Sequence, residues 1–568
     1  MLQIISGKFF DSDDRFRHDA KGILFSNYSW VQPIETCVAT LEPVDTYASV
    51  SSYVVSYVNQ IEKEKPPAKN VLIRTGDSEI VEQFMLLCCF SLKAFFHQDR
   101  NVVAVACRDQ RINSSDYHIP SNFVPRIFSR QINGSVSEVE SLSGFIDSAI
   151  SLKREYYNSL IISLRNFTDA LQIIGTNIDL AYSLLVYSLE ALAQRSDTYA
   201  PAWEDYPNEV RENLDKILCG IADDTAKDIK NTLLKNNNLK AIKRFLDFVH
   251  SHIDEQFFID EAPPGFMTVR SSELDRALRN AYTIRSKFAH QLQPIQEQLK
   301  HPRMANGDVI RFSGEPYLSI SGLVRVVQHV IGNFVKKKDK VTHEAFNWRN
   351  ELPGVIRMEL APQYWIWQHN ELKPEHATKK LSGFLSQLET VFLNSEPMTD
   401  LRELLYEYEK LINQSANPYK TQMLVTYVLY NAFVADEHKC VNYSKVFDKN
   451  KELFNHCTIE IMVMWLLMGQ RWPWTAEMCA SCWQDYQRAK HRKSSITVPR
   501  VMGVAVMVEI ASMYKQENNT SKYNSWMGIA ILEAAGQKDT QKRLIEAKSG
   551  LVQVTGMEVM NGAIQKKV

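Results

Sequence analysis

The sequence predicts a mainly α-helical protein with a small α/β region at its N-terminal end. Within residues 1–145, short β-like runs alternate with helical ones. Beyond that region, apolar residues recur at helical spacing, in stretches separated by prolines and glycines. The length of 568 residues also exceeds what one hydrophobic core usually supports. We therefore expect an α/β domain at 1–145, a helical bundle at 146–340 and an all-α domain at 341–568.

The composition is that of an ordinary globular protein, with 45% hydrophobic and 23% charged residues. A net charge of −1 indicates no globally basic nucleic-acid binder, although a local basic patch is compatible with it. No apolar stretch approaches the ~20 residues of a membrane span, and the start of the chain does not resemble a signal peptide. Nine cysteines in so long a chain indicate reduced thiols. We expect a soluble, cytoplasmic protein without a membrane partner.

The N-terminal region contains two runs of β-branched residues. Val71–Arg74 and Val102–Cys107 are predicted to be buried strands. The segment Ile80–Phe96 between them is predicted to be a helix, with Asp77 or Ser78 as its N-cap. A sensor or regulatory role is the hypothesis for this region.

The central region has almost entirely helical periodicity. The predicted helices cover 153–173, 177–195, 206–219, 222–235, 239–254, 272–293 and 319–337. A hairpin is predicted within 306–314, because this segment begins with an Asn-Gly pair. The chain has no P-loop, GxGxxG, HExxH or GxSxG motif, so nucleotide hydrolysis is not expected.

The C-terminal region, 341–568, is predicted to be helical and is a candidate partner-binding array, although it shows no clean repeat. Eight of the ten tryptophans lie here and are expected to fill a core, with an exposed aromatic patch as the alternative. Cys479 and Cys482 form a CxxC pair with His456 and Cys457 upstream. Because zinc sites usually need two close pairs at accepted spacings, buried thiols are favoured over a zinc site. A basic cluster at 488–493 is interpreted as a solvated helix end, with contact to RNA phosphates as the alternative.

One helix carries a charged residue where its pattern predicts an apolar one. On the predicted helix 272–293, an apolar stripe contains Leu274, Ala277, Leu278, Ala281, Phe288 and Leu292. Arg285 falls inside this stripe, four residues after Ala281. A buried guanidinium without a partner is very costly, so we expect Arg285 to have a charged or hydrogen-bonding partner.

His290 follows Arg285 by five residues, which places it roughly 140° around an ideal helix. One straight helix cannot easily direct both side chains at the same atom. A two-fold interface can, because it brings the same residues of two copies together. The spacing therefore favours a composite site in a homodimer. Pro294 is expected to end or bend the helix shortly after His290.

These residues resemble the RxxxxH motif of the HEPN superfamily. The segment Tyr282-Thr-Ile-Arg-Ser-Lys-Phe-Ala-His290 is particularly similar to ApeA-type HEPN domains of bacterial anti-phage proteins. The predicted helix containing Glu190 resembles the early HEPN helix that places an acidic residue in the active-site cleft. The closing helix 319–335 also resembles the family pattern. Ser286 departs from it, since many catalytic members have Asn, Asp or His after the arginine.

The resemblance covers about 145–340 and implies a metal-independent endoribonuclease with a composite active site in a homodimer or higher oligomer. It implies catalytic roles for Arg285 and His290, supporting roles for Glu190 and Ser286, and no cofactor or metal. The lysines 336–338 at the end of the region are candidate RNA contacts. A bacterial anti-phage function with a phage or host protein as trigger is the leading hypothesis. The alternatives are a non-catalytic HEPN-like dimerisation or scaffold protein that binds RNA or a protein partner, and another helical fold.

Overall fold

The computed structural model describes residues 1–46, 48–63, 76–108, 118–194, 202–203, 208–235, 240–265, 267–301, 307–353, 359–394 and 396–564. The chain divides into two compact units, Met1–Ile356 and Arg357–Val568. Both are mainly helical, and a small sheet lies near the start of the first unit. The predicted overall class is therefore confirmed at this level.

The first unit combines strands and helices. Its strands are β1 (Arg15–Ser26), β2 (Tyr28–Ser29), β3 (Ile34–Glu35), β4 (Thr40–Asp45), β5 (Ser51–Glu62), β6 (Phe96–His97), β7 (Ile132–Asn133), β8 (Val309–Phe312) and β9 (Glu315–Leu318). Its helices are α1 (Leu2–Ile5), α2 (Ser78–Ser91), α3 (Arg100–Ala106), α4 (Val136–Ile150), α5 (Arg154–Ile173), α6 (Ile178–Ala193), α7 (Asn208–Leu218), α8 (Asp223–Lys235), α9 (Lys240–His252), α10 (Glu255–Ile259), α11 (Ser271–Gln291), α12 (Glu297–Lys300) and α13 (Ile320–Lys337).

The sheet of the first unit is antiparallel, with strand order β3-β4-β5-β1-β6. The long strands β1 and β5 pair in register from Arg15 opposite Glu62 to Ser26 opposite Ser51. Alternate residues of β5 are buried, as expected when one face of a sheet packs on a core. Helix α2 covers this face, where Val81 packs close to Gly22 of β1.

The predicted strand Val102–Cys107 is wrong, because these residues form most of α3 and its C-cap. The Asp99 side chain accepts a 2.8 Å hydrogen bond from the Asn101 amide and so caps the helix. Of the valines in the run, Val103 is buried whereas Val105 is 45% exposed, so the run does not cross the core. The other predicted strand, Val71–Arg74, lies outside the described residues.

A continuous hydrophobic core runs through the first unit, from Met1 to Leu352. Helix α4 spans the boundary that the sequence predicts between 145 and 146, and residues on both sides of it share this core. Trp348 lies beyond the boundary predicted after 340, yet it is fully buried against Phe10, with ring centroids 5.2 Å apart. One packed body therefore contains the predicted first and second regions together with the start of the third.

The central helices lie close to their predicted positions, and β8 and β9 form the predicted hairpin. The turn itself is Ser313-Gly314, with φ values of 53° and 76°. Positive φ at both central residues is typical of a two-residue hairpin turn that matches strand twist. Gly307 of the predicted Asn-Gly signal precedes β8 and does not form the turn.

Two glycines on α13 have opposite surroundings and predict opposite effects on stability. A Cβ at Gly322 would overlap the backbone of Asp308, whereas a Cβ at Gly332 would have no atom within 4 Å. We expect Gly322→Ala to lower the free energy of unfolding by about 2–3 kcal/mol through overpacking. Gly332→Ala should raise it by up to about 1 kcal/mol, since alanine favours the helix. Urea unfolding followed by circular dichroism measures both, and shifts in the same direction would contradict this packing.

All regular secondary structure among the described residues of the second unit is helical. Its helices are α14 (His376–Asn394), α15 (Arg402–Leu411), α16 (Tyr419–Phe433), α17 (Tyr443–Asn450), α18 (Ile459–Leu467), α19 (Ala476–Ala489), α20 (Arg500–Gln516), α21 (Thr520–Glu533), α22 (Lys538–Lys548) and α23 (Gly556–Ile564). The tryptophans of this unit lie mainly in or against its core, and Trp367 is 46% exposed. In the described part of the chain, no helix has the length and apolar character needed to cross a bilayer.

Candidate functional site around Arg285

Helix α11 carries the RxxxxH segment, and its two ends have identifiable causes. At its start, the Glu273 carboxylate accepts a hydrogen bond from the Arg270 amide at 3.4 Å. At its end, Leu292 adopts a left-handed conformation with φ of 52°, and its amide donates to the Phe288 carbonyl. The helix therefore stops before Pro294, as the sequence predicts.

The apolar stripe of α11 faces the core over most of its predicted length. Leu274, Ala277, Leu278 and Ala281 are buried, and so is Arg285. The prediction for Leu292 is wrong, because its side chain is 77% exposed. The reason is that the helix ends at Gln291, so the left-handed residue after it no longer follows the helical periodicity.

Arg285 is only 9% exposed and forms an ion pair with Glu190 of α6. Its guanidinium carbon also lies 4.8 Å from the ring centroid of Tyr187 and 4.5 Å from that of Tyr282. Burial lowers the pKa of Arg285 from its usual value. An arginine nevertheless stays cationic near neutral pH, so the guanidinium carries a positive charge opposite the Glu190 carboxylate. The sequence predicted a partner for this residue, and the structure supplies one carboxylate and two aromatic rings.

One hydrogen-bond donor of Arg285 has no acceptor among the described residues. It is the Nε–H, which is buried. Buried polar atoms are usually satisfied, and exceptions occur at catalytic and binding sites. The guanidinium is thus held by Glu190 and the rings, and its buried Nε–H has no acceptor among the described residues.

Helix α6 holds Glu190 through contacts along its length. The Tyr182 hydroxyl donates to the Leu318 carbonyl at 3.1 Å, and Ser188 and Ser163 form a buried hydrogen bond at 2.8 Å. Glu190 is itself only 9% exposed. Such anchoring keeps the carboxylate in place against Arg285.

The structure does not bring His290 into this pocket. His290 is exposed near the C-terminal end of α11, and Ser286 is half-buried one turn before it. After α11 the chain returns toward α6, where the Ile295 amide donates to the Asp179 carboxylate at 2.7 Å. Arg285 therefore faces inward and His290 outward on the same helix, consistent with the angular separation predicted from their spacing.

The β8–β9 hairpin ties down the first half of α11. Arg276 makes two hydrogen bonds to Glu315, at 2.5 and 2.6 Å, and Arg311 makes two to Glu273, at 2.9 and 2.7 Å. The Asn280 amide also donates to the Pro316 carbonyl at 2.8 Å. Paired forks of this kind fix geometry better than single contacts do.

The three lysines that end α13 differ in their surroundings. Lys336 and Lys337 are exposed, and the Lys337 ammonium donates to the Ser251 carbonyl. Lys338 is half-buried over the rings of Tyr156 and Phe334, and burial lowers its pKa. Of the predicted RNA contacts, Lys336 and Lys337 have the more accessible charges.

Tyr187 and Tyr282 were not predicted as site residues from the sequence. Each tyrosine precedes a member of the ion pair by three residues: Tyr187 precedes Glu190, and Tyr282 precedes Arg285. Residues three apart share a helix face, so this spacing was a usable signal. The two rings complete a lining that shields the ion pair from water.

No group of three or more His, Cys, Asp or Glu side chains able to hold a metal ion occurs among the residues that the structure describes. No family model matches the sequence, and no similar curated protein or solved structure is found. The features of the chain that bear on function are therefore its motif resemblance and the local geometry of Arg285 and His290.

Proposed function

We propose that the chain is a metal-independent endoribonuclease of the HEPN type that acts in bacterial anti-phage defence, in the cytoplasm. The observation that carries the proposal is the state of Arg285. It is a buried arginine, paired with Glu190 and held between two tyrosine rings, with one donor unpaired. It lies five residues before an accessible histidine. This combination fits the RxxxxH motif that the sequence resembles.

The residue types suit RNA cleavage through the ribose 2′-hydroxyl. The 2′-oxygen attacks the neighbouring phosphorus while the bond from phosphorus to the 5′-oxygen breaks. An imidazole of His290 takes the 2′-hydroxyl proton or gives a proton to the leaving 5′-oxygen. Arg285 donates to the phosphate oxygens as negative charge develops there. The products are a 2′,3′-cyclic phosphate and a 5′-hydroxyl.

A second copy of the chain completes the proposed site. Within one chain, Arg285 and His290 lie on different faces of α11, so one copy cannot readily direct both at the same phosphate. A two-fold axis near the C-terminal end of α11 would place both residues of each copy around a shared cleft. The 77% exposed Leu292 and half-buried Phe288 supply apolar surface there for such a contact.

RNA is the proposed substrate, and the accessible Lys336 and Lys337 are candidate phosphate contacts. Ser286, half-buried beside the motif, could hydrogen-bond the substrate or His290. A phage or host protein is the proposed trigger, sensed through the regions outside 146–340.

A second candidate function is a non-catalytic HEPN-like scaffold that dimerises and binds RNA or a protein. The same ion pair favours it, because Glu190 already neutralises Arg285 and a buried pair can be purely structural. Ser286 also favours the scaffold, because many catalytic HEPN members have Asn, Asp or His at the position after the arginine.

RNA cleavage in EDTA separates these two functions. We expect the purified chain to cut total bacterial RNA in EDTA once lysate from phage-infected cells supplies the trigger. The His290→Ala protein in the same lysate removes the contribution of contaminating nucleases. End analysis should then show 2′,3′-cyclic phosphates that only the unsubstituted protein produces. Equal cleavage by the two proteins, in lysates from infected and uninfected cells, would support the scaffold.

A further inference from the structure

A cluster of three cysteines lies in the second unit. Cys457 precedes α18, whereas Cys479 and Cys482 lie one turn apart on α19. Cys479 and Cys482 are the two groups that lower the pKa of the Cys457 thiol. The fold thus brings a cysteine more than twenty positions upstream into the lining of the same cavity as Cys482. The sulfur atoms of Met462 and Cys457 lie 3.9 Å apart.

Two of these thiols can be reached from solvent. Cys457 and Cys482 are half-buried and line the same cavity, whose volume is about 600 Å³. Cys479 is fully buried. A small reagent that enters the cavity therefore meets Cys457 and Cys482 together.

The pKa values of the three thiols are shifted in different directions. The thiols of Cys479 and Cys482 stabilise the thiolate of Cys457, which holds the pKa of Cys457 below its usual range. Interaction with Cys457, together with burial, raises the pKa of Cys479 and of Cys482. Since the thiolate is the nucleophile, Cys457 is the reactive member of the cluster.

The other cysteines lack this combination. Cys88 and Cys89 are adjacent in the chain and fully buried, and burial raises the pKa of both. Cys219 is exposed near the end of α7, remote in the sequence from any other cysteine. It therefore serves as an accessible reference thiol.

We infer that Cys457 is a peroxide-reactive thiol whose oxidation produces a disulfide with Cys482. The Cys457 thiolate attacks one oxygen of hydrogen peroxide, the O–O bond breaks, and the other oxygen leaves as water after taking one proton. The Cys482 thiol then attacks the resulting sulfenic sulfur. The S–S bond forms, the S–O bond breaks, and the departing hydroxyl takes the thiol proton to leave as water. Two thiols are thereby oxidised and one peroxide is reduced to two waters.

Peptide mapping of the full-length protein tests this inference. Trypsin cleaves after Lys451, Arg471 and Arg488, so Cys457 lies in peptide 452–471 whereas Cys479 and Cys482 share peptide 472–488. We expect hydrogen peroxide to link these two peptides by a disulfide that dithiothreitol reverses. During peroxide treatment, Cys457 should lose its ability to react with N-ethylmaleimide at least about tenfold faster than Cys219 does. The reason is that a thiolate is the reactive nucleophile toward peroxide.

Cysteine variants identify the partner, since trypsin cannot separate Cys479 from Cys482. The linked peptides should persist in Cys479→Ala and disappear in Cys482→Ala and Cys457→Ser. Cys457 is half-buried, so its serine variant should keep its circular dichroism spectrum. A link that survives in Cys482→Ala and is lost in Cys479→Ala would overturn the assignment of Cys482. Equal oxidation of Cys457 and Cys219, without linked peptides, would overturn the inference as a whole.

Discussion

Replacing Arg285 or His290 by alanine is expected to abolish RNA cleavage by the triggered protein. Loss of a phosphate-stabilising donor such as Arg285 should slow cleavage by about 10²–10³-fold. Loss of the proton-transfer group His290 should slow it by about 10²–10⁴-fold. Arg285→Lys should also be strongly impaired, because an ammonium keeps the charge but loses the planar fork. Initial rates of cleavage of a labelled RNA in EDTA measure these effects.

Two residues near the site provide matched controls. Arg279 lies on the same helix and makes a half-exposed ion pair with Asp275, and His250 contacts the same carboxylate from α9. Arg279→Ala and His250→Ala should keep nearly full activity. Because His290 is exposed, its alanine variant should also unfold at the same temperature as the unsubstituted protein. Full activity in both Arg285→Ala and His290→Ala would refute the proposed nuclease.

Breaking the Arg285–Glu190 pair from either side is expected to destabilise the first unit by about 3–5 kcal/mol. The side chains are only 10% and 12% exposed, so either single substitution leaves a charge without its partner in a poorly solvated site. We therefore expect Glu190→Ala and Arg285→Ala to lower the free energy of unfolding separately. The double variant should lose less than their sum, with a coupling energy of about 1–3 kcal/mol.

Urea unfolding of the four proteins in this cycle measures the coupling. The Arg279–Asp275 pair of α11 is the reference, because its side chains are 43% and 49% exposed. Its coupling should not exceed about 0.5 kcal/mol, the usual range for exposed pairs on a helix. Equal coupling energies for the two pairs would show that burial does not strengthen the contact between Arg285 and Glu190.

Local sequence patterns predicted the helices better than the strands. The boundaries of α5, α6, α11 and α13 lie close to those predicted, because each helix has strong apolar periodicity. The long strand β5 was not singled out, although the alternation in Ser51-Ser-Tyr-Val-Val-Ser-Tyr-Val-Asn59 was a usable signal. The strand prediction for the valine run of α3 depended on its β-branched residues and did not consider Asp99, which caps the helix.

The candidate site, too, could be predicted from the sequence only in part. Helical periodicity identified Arg285 as an out-of-pattern charge, and that inference needed only one helix. Its surroundings come from α6, which lies almost one hundred residues earlier in the chain, so periodicity alone could not place Tyr187 beside it. The exposure of Leu292 depended on where α11 ends, and helix termini are among the less predictable features of a sequence.

Because the β8–β9 hairpin holds only the first half of α11, the two halves of this helix should open locally at different rates. Backbone amides of 274–281 lie between the core and the ion pairs to Glu315 and Arg311, whereas those of 287–291 lie on an exposed last turn. Deuterium should therefore enter the last turn first, at a rate set by local fraying, while the first half exchanges only through larger openings of the unit. Such a gradient lets His290 adjust to a bound molecule while Arg285 keeps its register against Glu190.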